Sequence, residues 1–290
     1  MAANKGLTLS MVFEAESANY GEGFGNISVL KKMTRGNGET YTYISRQAMR
    51  YCIVQQLGWD NTPLYKEGSN EKSVVQFAPE ASVDAYPEVD LFGYMKTVSG
   101  AGATTRPAVA RLSNAISLEP YRADTDYLTN MGLAKRIGAS NSIAQREIHH
   151  AFYAYTVTAD LDRVGVDREI AIPEGERSER MCALLDTLAY LYRDIAGRRE
   201  NLAPVFVIGG VYDRKNPYFE NRIGVKNTVL DVQRLVQIIA DDDDVQKNTI
   251  SGMLAGTFKN EAEIQGQLSP LTIGRFFAEL KARIGAVYNG

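Results

Sequence analysis

Two arginines and a glutamine stand at the start of a predicted helix, where such side chains can bind a phosphate chain. A strand-like segment leads into Ser45, a good N-cap because its hydroxyl can accept a hydrogen bond from a backbone amide of the first turn. At about 100° per residue, Arg46, Gln47 and Arg50 fall on one side of the helix near its positive end. Guanidinium groups, an amide and free backbone N–H groups all suit phosphate oxygens. A solvated helix face would show the same pattern, so both interpretations stay open at this point.

Further basic residues precede this helix in a glycine-containing loop. The loop carries Lys31, Lys32 and Arg35, and Asn26 stands before it as a neutral donor. Residues 1–57 hold six lysines and arginines against four glutamates, although the whole chain has a formal net charge of −3. A negative total does not favour a nucleic-acid binder, but affinity depends on the local potential. The basic groups are therefore concentrated near the start of the chain.

Other chemistries are poorly supported by the sequence. The glycines of residues 20–26 have the wrong spacing for a Rossmann or P-loop site, and no helix pattern follows them. His149 and His150 are neighbours on a predicted strand, where they point to opposite faces and cannot easily chelate one metal. The acidic run at 241–244 is better explained as a solvated helix stop than as a metal site. We predict no catalytic residues, no metal and no cofactor.

The strongest patterns follow a β-α-β-β-α-β order, which is that of the ferredoxin-like fold. Alternating apolar residues predict the strands, and a 3.6-residue period predicts the helices. This fold is shared by many unrelated proteins, so it does not settle the function. The predicted elements are a strand at 7–17, a helix at 45–57, strands at about 112–119 and 148–161, a helix at 180–196 and a strand at 204–212.

Three regions lie outside this order. Residues 59–110 are rich in Pro, Gly, Ser and acidic residues, which suggests an inserted subdomain. A polar excursion with Arg214 and Lys215 follows Tyr212. A last helix is predicted to begin at Ser269-Pro270, with serine as N-cap and proline at the first helical position, and to end near Tyr288.

The bulk composition is that of an ordinary globular protein. The chain has 290 residues, 44% of them hydrophobic, which is enough for a sizeable core. No apolar run approaches the roughly 18 residues of a membrane helix. Its start shows no secretion signal, and Cys52 and Cys182 fall in apolar helical patterns. We therefore expect a cytoplasmic protein with reduced thiols and no membrane partner.

The stretch from Ile44 to Tyr51, with Gly25-Asn26 and the basic loop before it, resembles the backbone subunit of CRISPR surveillance complexes. More narrowly, it is similar to the DevR-type subunit of the subtype I-B complex, Cascade. The order and spacing of several motifs carry this resemblance over most of the chain. One departure is Arg46, where relatives often have a small residue. The supporting stretches are Leu7 to Asn19, Asp90 to Gly93, Arg106 to Val109, Ser117 to Pro120 and Gly209 to Lys215.

The resemblance implies an α+β architecture with an RRM-like palm formed by residues 1–58 and 111–290. Residues 59–110 would be an inserted fingers subdomain. The thumb would be the excursion at 212–228, with 120–144 as its rival. The resemblance also implies copies stacked head-to-tail on one CRISPR guide RNA, contacts with other Cascade subunits, and target DNA pairing with the guide in antiviral defence or in guided transposition.

The hypothesis from the sequence is sequence-independent binding of guide RNA by a non-enzymatic subunit. Such a protein must contact phosphate and ribose rather than base edges. Two alternatives remain: a metal-dependent RNA-cutting subunit like those of type III complexes, using Asp124, Asp126 or Asp213, and a structural protein without nucleic acid. The predicted RNA-binding residues are Asn26, Lys31, Lys32, Arg35, Ser45, Arg46, Gln47, Arg50, Arg214 and Lys215.

Overall fold

The chain folds into a mixed α+β structure built on one large antiparallel sheet, as the α+β prediction requires. None of the helices in the described residues is both long enough and apolar enough to cross a bilayer. The computed structural model describes residues 4–16, 19–21, 23, 25–67, 74–98 and 102–289. The strands are β1 (Gly6–Ala15), β2 (Ile27–Ser28), β3 (Lys32–Thr34), β4 (Thr40–Ile44), β5 (Leu64–Glu67), β6 (Val74–Phe77), β7 (Tyr94–Val98), β8 (Gly102–Arg106), β9 (Ala110–Leu112), β10 (Ala115–Ser117), β11 (Asp124–Thr129), β12 (Ile143–Ile148), β13 (Ala151–Asp160), β14 (Val166–Asp167), β15 (Ile170–Ala171), β16 (Tyr192–Ile195), β17 (Arg198–Asn201), β18 (Phe206–Tyr212), β19 (Val225–Lys226), β20 (Val229–Leu230) and β21 (Ile250–Met253). The helices are α1 (Arg46–Leu57), α2 (Pro87–Phe92), α3 (Met131–Ile137), α4 (Glu174–Ala189), α5 (Val232–Ala240), α6 (Asp243–Asn248), α7 (Glu261–Leu268) and α8 (Ile273–Asn289).

The large sheet has the strand order β21-β18-β1-β13-β10-β4-β3, with β9 also paired to β13. Its two longest strands, β1 and β13, run antiparallel from Gly6 opposite Asp160 to Ala15 opposite Ala151. Strand β18 pairs with the other edge of β1. The end of β4 leads directly into α1, so the sheet fixes where that helix begins.

The two faces of the sheet carry different cores. Leu9 and Phe13 of β1 are fully buried beneath α1, α4 and α8. Val12 points the other way, into a second core formed with the loop after β18 and with α5, α6 and α7. Burying each such side chain contributes roughly 1.5–3 kcal/mol relative to exposure. The part of this second face that the second core leaves uncovered is called the open face below.

Helix α4 ends earlier than predicted. It stops at Ala189, and Tyr192–Ile195 forms a hairpin with Arg198–Asn201. The apolar residues of this stretch match a helical period, and for this reason the helix was predicted to continue to residue 196. Ala196 and Gly197 both have positive φ values, of 53° and 78°, which identify a two-residue hairpin turn rather than a helix stop.

The predicted start of the last helix was also wrong. Ser269 has a φ of 45° and closes α7 as its C-cap, instead of opening a new helix. Leu271 then bridges to Gly252 beside the sheet, and α8 begins at Ile273. The hydroxyl of Thr272 accepts from the Arg275 amide at 3.4 Å. The Ser269-Pro270 pair therefore indicated a helix boundary correctly, but this boundary is the end of α7 and not the start of α8.

The two candidate thumb regions differ sharply. The excursion after β18 packs down on the sheet, because Phe219 is buried and the Thr8 hydroxyl donates to the Asn216 carbonyl at 2.8 Å. In contrast, β11 and β12 form a hairpin from Asp124 opposite Ile148 to Thr129 opposite Ile143, with α3 at its tip. This hairpin, residues 124–148, belongs to a separate three-stranded sheet with β2.

Residues 59–110 contribute two more hairpins outside the large sheet. Strands β5 and β6 form one and strands β7 and β8 form the other, with the short helix α2 between them. The Tyr65 hydroxyl donates to the Thr97 carbonyl at 2.7 Å and thereby joins the two hairpins. Asp90 of α2 ties this region to the rest of the chain, as described below.

One turn carries a residue that its backbone does not favour. Asn227 and Thr228 connect β19 and β20 with φ values of 53° and 62°, and a β-branched residue is strained in this region. We expect Thr228→Gly to raise the free energy of unfolding by about 1 kcal/mol, measured by urea denaturation. Gly197→Thr, which introduces the same strain into the turn between β16 and β17, should lower it by a similar amount. An unchanged midpoint of urea denaturation in both variants would contradict the assignment of strain to Thr228.

Candidate nucleic-acid interface

The start of α1 is held in place by side chains from three parts of the chain. Ser45 is the N-cap, as predicted, and its hydroxyl accepts from the Ala48 amide at 3.3 Å. The same hydroxyl donates to Asn19 Oδ1 at 2.7 Å, and the Arg46 amide donates to Asn114 Oδ1 at 2.9 Å. Ser45 is buried. Its role in this structure is to position the helix.

A first cavity opens beside this helix start. Its volume is about 530 Å3, and its polar residues are Arg46, Gln47, Arg50 and Arg111. No carboxylate is present among the described residues that line it, and all four of these side chains belong to exposed residues. The opposite wall is apolar. It consists of Phe92, Ala108, Ala110 and Leu112.

A second cavity continues from the first along the sheet. Its volume is about 470 Å3, and it shares Arg46 and Arg111 with the first cavity. Lys215 lines it and is paired with Asp162. Asp160 binds Arg111 through both carboxylate oxygens, at 3.1 and 2.7 Å. Burial opposes ionisation of Asp160, but the hydrogen bonds and charge of Arg111 outweigh it and hold the carboxyl pKa below its ordinary value.

The sequence did not identify Arg111 or Asn114 as site residues. Arg111 lies in β9, whose pairing with β13 brings it beside α1. Asn114 follows directly and supports the Arg46 amide. Neither belongs to a motif, and their position depends on the order of strands in the sheet. Local sequence therefore carried no signal for them.

The ten predicted residues do not form one cradle. Lys32 is paired with Glu147 at 2.7 Å and lies 4.6 Å from the Tyr121 ring centroid, at the base of the 124–148 hairpin. Asn26 donates to the Ile143 carbonyl of the same hairpin at 3.3 Å. Of the ten, only Arg46, Gln47, Arg50 and Lys215 line the first or second cavity.

The remaining predicted residues lie apart from these cavities. Lys31 is half-buried beside β4, where its carbonyl accepts from the Tyr43 amide at 3.1 Å. Arg35 stacks 4.5 Å from the Tyr41 ring centroid. Arg214 is paired with Asp242 at 2.8 Å. Their roles in RNA binding stay predictions.

Two of the three acidic residues considered for metal-dependent cleavage are held by cations. Asp126 accepts from Arg146 at 3.0 and 2.7 Å, and Asp213 is paired with Lys5 at 2.5 Å. His149 is buried and shares a 2.8 Å hydrogen bond with Thr42, and burial lowers the pKa of its imidazole. Across the described ranges, no three His, Cys, Asp or Glu residues are grouped to hold a metal ion.

Comparison with models of protein families shows the family to which this chain belongs. The model of the CRISPR-associated negative auto-regulator DevR/Csa2 family matches residues 7–233. The chain belongs to the DevR/Csa2 family. A search of curated proteins finds no match.

Two solved chains have folds similar to this DevR/Csa2 protein. One comes from a CRISPR RNA-guided surveillance complex described as pre-nicking, with a TM-score of 0.63 and 14% identity over 97% of this chain and 100% of that chain. The other comes from a CRISPR RNA-guided surveillance complex, with a TM-score of 0.58 and 15% identity over 98% of each chain. At these identities the likeness establishes the fold alone.

The stretches that carry the family resemblance also build the first cavity of this DevR/Csa2 protein. Phe92 of the Asp90–Gly93 stretch and Ala108 of the Arg106–Val109 stretch form its apolar wall. Gly93 has a φ of 73°, and a Cβ there would lie 2.5 Å from the Arg106 carbonyl oxygen. The close approach of these two stretches therefore requires glycine.

Proposed function

We propose that this DevR/Csa2 protein is an RNA-binding subunit of a type I-B CRISPR surveillance complex and holds the guide RNA without reading its sequence. The observation that carries the proposal is the first cavity, where Arg46, Arg50 and Arg111 face one space with no carboxylate in its described lining. Two guanidiniums at a helix start, Arg46 and Arg50, suit the phosphates of a single strand. Arg111 of β9 lies beside them and is paired with Asp160.

Sequence independence requires that the side chains of the cavity contact phosphate and ribose, which are the same in every guide, rather than base edges. The net charge of −3 is compatible with this because binding depends on the local field. Several copies on one strand would add their contacts, so moderate affinity per copy gives tight retention.

The palm of the proposed subunit is a ferredoxin-like unit. Strands β1, β10, β13 and β18 are neighbours in the large sheet, and α1 and α4 connect them in a β-α-β-β-α-β order. Residues 59–110 would be the fingers, because their hairpins lie outside that sheet. In this proposal the first cavity lies between the fingers and the palm, since Phe92 and Ala108 come from residues 59–110 and Arg46 and Arg50 come from α1.

We assign the thumb to the 124–148 hairpin rather than to the excursion at 212–228. Its tip helix leaves apolar side chains in water, with Ile137 82% exposed and Leu133 64% exposed. Exposed apolar patches of this kind mark contact surfaces. We propose that the hairpin contacts the next copy of the chain. Head-to-tail contacts of this type do not close a ring and therefore give an open filament.

In this proposal the chain has no cleaving activity. It presents guide segments for pairing with target DNA and contacts other subunits of the complex. Two of the three aspartates considered as metal ligands, Asp126 and Asp213, form ion pairs instead, with Arg146 and Lys5. This supports a binding role over the RNA-cutting alternative.

Co-expression with a guide RNA followed by size-exclusion chromatography tests the proposal. The wild-type chain should elute as a large RNA-containing particle that RNase reduces in size. Leu133→Asp with Ile137→Asp should retain RNA binding but give smaller particles, because a charge in the hairpin contact opposes assembly. Leu254→Asp, at a residue that is 53% exposed outside the hairpin, is the matched control. Elution of the wild-type chain free of RNA would contradict the proposed function.

A further inference from the structure

A third cavity lies on the open face of the large sheet. Its volume is about 150 Å3, and Arg35 and Arg234 both line it. Its floor carries Ser10 and Thr156, whose hydroxyls share a 2.6 Å hydrogen bond. No carboxylate is found among the described residues around it. A space of this size is below the range of roughly 300–1,000 Å3 that holds drug-sized ligands, so it suits a phosphate-sized group better than a whole base.

The two arginines differ from two of the cations that line the second cavity. Arg111 and Lys215 are each paired with an aspartate, at Asp160 and Asp162. Within the described ranges, by contrast, no carboxylate pairs with Arg35 or Arg234. The Arg35 guanidinium rests on the Tyr41 ring, which holds it in place without reducing its charge. The third cavity is therefore a positive site for an oxyanion.

The third cavity is continuous with the second. Both are lined by Ser113, Ile116, Thr156 and Asn221. Because Arg46 and Arg111 join the second cavity to the first, the three together form one trough from the start of α1 across the open face. Asn221, at the junction of the second and third cavities, has a φ of 58°. Asparagine adopts this left-handed conformation readily, so the turn at the junction fits the residue.

We propose that Arg35 and Arg234 form a second phosphate subsite for the strand that α1 binds. The inference rests on the proposed function and adds a path to it: the ribose-phosphate chain passes from the first cavity through the trough to the third. The strand is therefore bound at two separated places on each copy, with the open face of the sheet between them. The ligand class is a single-stranded polynucleotide, recognised through its phosphodiesters.

The test compares salt dependence across RNA lengths. Binding of the full chain to oligoribonucleotides of increasing length is measured at several salt concentrations for the wild type and for Arg35→Gln with Arg234→Gln. Each phosphate contact on a single strand contributes about 0.7 to the log–log salt slope. The double variant should lose about 1.4 from the slope on long RNA and bind it about tenfold more weakly per arginine. On the shortest RNA that binds, the variant and the wild type should agree, because only the first cavity is filled.

Two sets of controls separate the possible outcomes. Arg199→Gln with Arg275→Gln removes the same charge from exposed positions outside the trough and should leave the slope unchanged. Arg35→Lys with Arg234→Lys keeps the charge and should restore most of the slope.

Equal slopes for the Gln variant and the wild type on long RNA would overturn this inference alone. If inorganic phosphate raises the wild-type melting temperature but not that of the Gln variant, and the RNA slopes still agree, the cavity binds free oxyanions and the polynucleotide path is wrong. If the wild type binds no RNA of any length, the proposed function fails and this inference fails with it.

Discussion

Replacing Asp90 with alanine is expected to lower the free energy of unfolding by about 3–5 kcal/mol, because it removes the one fully buried carboxylate that two buried guanidiniums share. Of the carboxylates in the described residues, Arg180 then keeps only Glu176, whose side chain is partly exposed, and Arg106 keeps only Asp167, at 3.7 Å. The Asp90 carboxylate accepts from Arg106 Nη2 at 2.7 Å and from Arg180 Nη1 at 2.8 Å. The Gly165 amide also donates to it, at 2.9 and 3.0 Å. Asp90 is fully buried, and the two arginine side chains are only 2% and 5% exposed.

The position of Asp90 explains why the loss should spread beyond one contact. Asp90 belongs to α2 and Arg106 to β8, whereas Arg180 belongs to α4 beneath the large sheet. The cluster therefore fastens residues 59–110 to the rest of the chain. It also fixes the neighbouring Phe92 and Ala108, which form the apolar wall of the first cavity. We expect Asp90→Ala to reduce RNA retention as well as stability.

Denaturant and thermal unfolding measure the effect on stability. Asp194→Ala is the control, because it also removes an aspartate from an arginine pair, at 3.0 Å from Arg199, but both of its partners are exposed. An exposed pair of this kind adds little to stability, so the control should unfold with the wild type. If Asp90→Ala also unfolded with the wild type, the buried cluster would not hold residues 59–110 to the rest of the chain.

Features decided within a few residues were predictable from the sequence. Ser45 caps α1, and Gly58 ends it with a φ of 67° as expected for a C-cap glycine. Alternating apolar residues in the sequences of β1 and β13 predicted both strands correctly. The predicted helix start, which carries Arg46, Gln47 and Arg50, was therefore correct. Phosphate binding by these three side chains stays a prediction.

Features decided by distant pairing were not predictable. Lys32 was expected to bind phosphate, but its carboxylate partner, Glu147, is 115 residues away in the chain. The apolar period of Leu191 and Tyr192 favoured helix, and only the turn at Ala196 and Gly197 redirected the chain into a hairpin. Helix α3 was not predicted, because most of its apolar side chains face water and therefore do not form the pattern of a buried helix face.

Exchange of Arg46 and Arg50 for alanine is expected to weaken guide RNA retention by over a hundredfold without changing the melting curve. Hydrogen bonds to charged groups contribute about 1.5–3 kcal/mol each, and two lost contacts give about 3 kcal/mol or more. Both residues are exposed, and in the described part of the chain neither forms an ion pair, so the fold does not depend on them. A filter-binding assay with one guide RNA measures the loss.

The matched variant Arg46→Lys with Arg50→Lys separates charge from geometry at this site. Lysine keeps the positive charge but cannot form the planar, paired hydrogen bonds of a guanidinium. The salt slope should therefore survive, since it reports the number of phosphates neutralised, while the affinity falls part of the way towards that of the alanine variant. Unchanged retention in the alanine variant, with a normal melting curve, would remove the first cavity from the RNA path. The trough would then have to bind its strand through Arg111, Lys215, Arg35 and Arg234.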